Sequence, residues 1–98
     1  LDYKISCVDY EINPSETKIV IANEAKRPII VESIDVAGCS GTFSAEMKIG
    51  ETSDFTLAGC NNGKKGKTVK GDILLEYAEK KTGLQRNVHG KIKSKVRE

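Results

Sequence analysis

The stretch from Leu84 to Arg97 constrains the fold more than any other part of the chain, because it alternates with a period of two. Leu84, Arg86, Val88, Gly90, Ile92, Ser94 and Val96 fall on one side. Gln85, Asn87, His89, Lys91, Lys93, Lys95 and Arg97 fall on the other, which is almost wholly polar. A helix would scatter both sets around its axis, whereas a strand sends successive side chains to opposite faces. The pattern predicts a long strand with one wet face and one buried face. Such a strand needs neighbours, since a lone pair of strands is marginal in water.

Other segments supply them. Val69, Gly71, Ile73, Leu75 and Tyr77 make a second alternating face, followed by "AEKKTG", whose Gly83 suits a hairpin turn. "TKIVIA", Thr17 to Ala22, is a β-branched run with Ile19 and Ile21 on one side. In "PIIVESIDV" Pro28 fits only a strand start or edge, and the apolar residues change parity between Val31 and Ile34. That slip predicts a bulge, or a strand that switches neighbours, near Glu32-Ser33. The same slip separates Ile5 and Cys7 from Val8, Tyr10 and Ile12. No segment sustains a 3.6-residue period, so no helix is expected.

About seven strands punctuated by turns every ten residues or so indicate an all-β, immunoglobulin-like antiparallel sandwich rather than a βαβ fold. With 98 residues, 38% hydrophobic and 31% charged, the chain makes one folded domain, 1–98, around a modest core. The net charge of +2 does not by itself imply a nucleic-acid partner. No apolar run reaches the ~18 residues of a transmembrane helix, and no signal peptide is present. Because the sequence starts at Leu1, a processed or trimmed product is expected, with any export signal or anchor upstream.

"GCSGTFSAEMKIGETSDFTLAGC", Gly38 to Cys60, begins and ends on Gly-Cys. Between the cysteines, Phe43, Ala45, Met47 and Ile49 alternate, then Phe55 and Leu57, with Gly50-Glu51 between them. The layout predicts one hairpin flanked by cysteines. A bond, a metal and a redox pair are the chemical options. No C-x-x-C spacing supports zinc or redox chemistry, and His89, the only histidine, lies far away in a strand. A Cys39–Cys60 disulfide is favoured over free thiols, which implies an oxidising compartment. Cys7 is then left over, either buried and inert or without its partner.

Loop 61–70 is rich in lysine and glycine and reads as exposed, with Asn62-Gly63 favouring a turn of positive φ. Gly66-Lys67-Thr68 resembles the end of a phosphate loop, but Asn61 replaces the first glycine and a strand follows instead of a helix. Lys91, Lys93, Lys95 and Arg97, with Lys64, Lys65, Lys67 and Lys70, make a basic row. No aromatic residues alternate with them to stack bases, so a guard against edge-to-edge aggregation is the favoured reading. Nothing forms a nucleophile elbow, an H-E-x-x-H or a carboxylate pair in an evident cleft. A Cys7–His89 dyad has no local signature, and both residues are read as structural. No cofactor, metal site or catalytic residue is expected.

Taken together, "ISCVDYEI", "TKIVIANEAKRPIIVESIDVAGC", "IGETSDFTLAGC" and "KGDILLEYAEKKTG" resemble the globular part of archaeal type IV pilin-like proteins. The matching positions are Cys7, Asn23, Cys39, Gly50, Cys60, Gly71 and Tyr77. The resemblance implies the surface-exposed head of an extracellular filament subunit that self-associates through an N-terminal apolar helix, its only membrane contact, with a surface ligand conceivable and no nucleic acid. That helix and its processing site are not in this sequence. "ANEAKRPIIVESIDVAGC" also resembles chaperone-like immunoglobulin modules, so a cell-surface adhesion or chaperone-like binding module is the alternative.

Overall fold

The computed structural model describes residues 5–97, so Leu1 and the start of the chain lie outside the described residues. Seven strands follow one another without a helix among the described residues. They are β1 (Ile5–Ile12), β2 (Glu16–Asn23), β3 (Ile29–Val36), β4 (Cys39–Met47), β5 (Thr52–Ala58), β6 (Thr68–Glu79) and β7 (Gln85–Lys95). One sheet has the order β1-β2-β5 and the other β4-β3-β6-β7, every pairing antiparallel. This is the expected immunoglobulin-like sandwich, with the fourth strand placed in the second sheet.

The interior follows from the alternation. Ile19 and Ile21 of β2, Ile34 and Val36 of β3, Leu75 and Tyr77 of β6 point inward and are buried. Ile92 and Val96 bury the apolar side of the C-terminal stretch, while Lys91, Lys93 and Lys95 face solvent. Both parity slips are bulges. The β3 register shifts between Val31 and Ser33 against β4 and β6 alike, which returns Ile34 to the core side after Val31. The β1 register shifts between Cys7 and Asp9, leaving Val8 59% exposed while Ile12 is buried.

The hairpin expected between Cys39 and Cys60 does not form. β4 and β5 belong to different sheets, and the chain crosses between them at Lys48–Glu51. Gly50, at φ +78°, makes the corner, and Ile49 is left exposed there instead of continuing an inward row. Phe43 and Phe55 therefore meet across the interior, edge to face, with ring centroids 4.9 Å apart.

Asn23 fixes this corner. It is fully buried at the end of β2, and its Nδ2 donates to the carbonyls of Arg27, Met47 and Lys48 at 3.0–3.3 Å. Its Oδ1 accepts from the Ala25 amide, and its backbone pairs with Gly50 and Glu51. One amide thus satisfies polar backbone at two chain reversals that would otherwise be buried without partners. At the other end, Ala37 and Gly38 form a two-residue turn between β3 and β4, both at positive φ (51° and 90°). Gly71 lies beneath it, because a Cβ there would come within 2.8 Å of the Ala37 methyl.

Cys39 opens β4 and Cys60 follows β5, and the two are joined by a disulfide with Cα atoms 5.4 Å apart. The bond links the edge strands of opposite sheets rather than the two arms of a hairpin. Replacing both cysteines with alanine should lower stability by about 3 kcal/mol, from the loop of 21 residues, or roughly 12–24 °C in Tm, with the strand circular dichroism retained. Asn23→Ala should cost about 2 kcal/mol, read as a shift of the urea midpoint, because three carbonyls lose their donor.

Candidate functional site

The two long sides of the sandwich differ. On the β4–β5 side the disulfide closes the gap between the sheets. On the opposite side the edge strands are β1 and β7, whose pairing is incomplete. At one end the Ile12 carbonyl accepts from the Arg97 amide at 2.6 Å, and the Tyr10 hydroxyl donates to the Lys93 carbonyl at 3.4 Å. At the other end the strands part and leave a cleft of about 260 Å³. Ile19, Ile21, Ile73 and Leu75 form its floor, while Ile5 and Cys7 line one lip and Val88 and Gly90 the other. The β1 bulge follows Cys7 on one lip, and Gly90 adds no side chain to the other.

The cleft is apolar and smaller than the ~300–1,000 Å³ that encloses a typical small-molecule ligand. One or two apolar side chains of an extended segment match its size, and the free edges of β1 and β7 supply backbone partners for such a segment.

Cys7 and His89 both line this cleft, although nearly the whole chain lies between them in sequence. They make no hydrogen bond to each other; the Cys7 thiol faces the Asp9 carbonyl at 3.7 Å. Burial pushes the Cys7 thiol up, and the Asp9 carboxylate adds to the rise, with the carbonyl contact opposing it. A nucleophilic cysteine needs the opposite, a thiolate stabilised by positive charge. Cys7 is exposed as a residue, but its thiol is partly desolvated and unactivated.

The lysine loop is less free than the sequence reading has it. Asn62 is buried, and its Nδ2 reaches the carbonyls of Asn13 and Glu16 and the Thr17 hydroxyl at 2.8–3.2 Å. Amides of Cys60 and Asn62 donate to Ser15 and Pro14. Segment 60–62 is therefore stitched to the β1–β2 turn, and only from Gly63 onward does the loop project. Gly63 and Gly66 have positive φ, as the turn reading expects for the first. The Gly66 amide and the Lys67 carbonyl pair with Val96, extending the β6–β7 ladder, and β6 follows where a phosphate loop would need a helix.

That ladder organises the basic row. Lys70 is the register partner of Lys93, and Thr68 and Asp72 are those of Lys95 and Lys91. All four lysines are exposed on the outer face. β7 is an edge strand, where lysines discourage pairing with another chain. No group of three or more His, Cys, Asp or Glu residues with metal-binding spacing exists among the described residues, and no helix there is long and apolar enough to cross a membrane.

No protein-family profile, curated protein or solved structure matches this chain.

Cys7 is an exposed residue whose thiol pKa is raised, which lowers its thiolate population and hence its reactivity. Its iodoacetamide alkylation at pH 8 should run slower in the native protein than in urea, and the difference should shrink as the pH is raised. The sign of the linkage is fixed by the same shift: this thiol favours the folded state below its unfolded pKa, and the contribution is lost as pH rises through the folded one.

Proposed function

We propose that this chain is the surface-exposed head of a pilin-like extracellular filament subunit, a structural and non-catalytic part. The observation that carries the reading is the Cys39–Cys60 bond between the edges of opposite sheets. Such bonds persist in oxidising compartments and are rare in reducing cytosol, so they favour an exported domain. The sequence pattern around Cys7, Asn23, Cys39, Gly50, Cys60, Gly71 and Tyr77 supplies the pilin resemblance, with assembly through an apolar helix N-terminal to the head. A head of this kind uses its outer faces for contact and needs no cofactor or turnover.

A second reading, a cell-surface adhesion or chaperone-like binding module, is favoured by the β1–β7 cleft. There an extended partner segment finds two free strand edges and an apolar floor.

The test is the location and the upstream sequence of the complete gene product. A filament head should be recovered from sheared surface filaments with Cys39 and Cys60 oxidised, behind one apolar helix and a short basic leader. Tandem sandwiches upstream would favour adhesion, and a reduced protein in the cytosol would overturn both readings. Calorimetry of the isolated chain should show no zinc or nucleotide binding at micromolar concentration; stoichiometric zinc binding would move the assignment to a metal protein.

A further inference from the structure

The guard reading accounts for Lys91, Lys93 and Lys95 on the edge strand β7, but not for Lys70. That residue lies on β6, an interior strand between β3 and β7, directly opposite Lys93. Like charges at directly opposed positions of an antiparallel pair oppose sheet formation. Neither the Arg27–Glu79 nor the Lys80–Glu46 ion pair involves any of the four lysines. Asp72, beside Lys91, is the one carboxylate within this part of the β6–β7 face.

The outer face of the other sheet carries the opposite charge. Its cross-strand rows are Asp9–Val20–Asp54 and Glu11–Lys18–Thr56, followed by Glu16–Ala58. Asp9, Glu11 and Asp54 are exposed, Glu16 is half-buried, and Lys18 is the only cation in these rows. The sandwich thus presents an acidic flat face on one side and a basic flat patch on the other, both built on rigid strands.

We propose that the β6–β7 lysine patch of one copy of this chain docks on the β1-β2-β5 acidic face of a second copy. The contact joins two different surfaces, so it repeats from subunit to subunit instead of closing a dimer. The role rests on the filament-head reading, in which neighbouring heads are held side by side. The molecule spans 42 × 19 × 18 Å between Cα extremes, and each charged patch covers only part of one long side. The contact falls below the ~800 Å² per partner of a stable complex. It is weak between free heads and gains strength from the high local concentration within an array.

The experiment is sedimentation equilibrium of the isolated chain at millimolar concentration, in about 0.01 M and about 1 M salt, where the screening length falls from about 30 to about 3 Å. Wild type should associate at low salt, with the association constant falling at least tenfold at high salt. K70E/K93E has two acidic faces and E11K/D54K two basic ones, so each alone should be monomeric. Their equimolar mixture should associate again. All four positions are exposed, and circular dichroism verifies that both variants keep the strand signal. A monomeric wild type at low salt, association that survives 1 M salt, or a mixture no more associated than its components would each overturn the proposal. So would a wild type that binds anionic lipid vesicles through Lys70 and Lys93 but not itself. These outcomes leave the filament reading standing, because that reading is judged by recovery of the full-length product from filaments.

Discussion

The covalent bond between Cys39 and Cys60 joins two strand edges that no backbone ladder connects. β4 and β5 are consecutive in sequence yet belong to different sheets, so hydrogen bonding within each sheet does nothing to hold the sheets together there. Side-chain packing must do that, and this core has two phenylalanines and no tryptophan to contribute. The disulfide holds one long side shut, and Asn23 holds the corner where the chain crosses. On the opposite side β1 and β7 meet at one end and part at the other, where the cleft lies.

Two buried asparagines close the ends in the same manner. Asn23 satisfies carbonyls at the crossing, and Asn62 satisfies those of the β1–β2 turn. Each replaces several water contacts with one amide, which suits short turns that have too few residues to pair their own backbone. Arg27 and buried Glu79 add an ion pair between the β2–β3 loop and the end of β6. The loops are anchored by single polar side chains, while the strands carry the apolar interior.

Strand existence and facing were legible because both depend on neighbours two residues apart. The bulges at Glu32 and Val8 were legible for the same reason: a strand that changes parity while keeping one face buried must insert a residue. The sheet to which β5 belongs was not legible. Phe55 and Leu57 alternate identically whether β5 folds back on β4 or crosses to β2, and the contacts that accompany the crossing, such as those of Asn23 with Gly50 and Glu51, are tertiary. Asn62 read as a turn residue because Gly63 follows it, and that signal is correct but silent about its side chain. The cleft left no trace, since its lips come from strands near opposite ends of the chain. The charge segregation needed sheet partners as well, because Lys70 and Lys93 become neighbours only through the β6–β7 register.

Whatever pulls on this domain meets the bond before it meets most of the middle of the chain. A tensile load applied through the two ends would first act on β1 and β7, which run in the same direction and touch at Tyr10–Lys93 and Ile12–Arg97. If those strands peeled away, force would pass from Cys39 to Cys60 through sulfur, bypassing the 21-residue span between them. Roughly 70 Å of contour length would stay slack and unextended, at about 3.4 Å per residue. A domain built this way has a hard limit to its stretch: β4, the crossing and β5 act as a knot that tension cannot reach until a covalent bond is reduced.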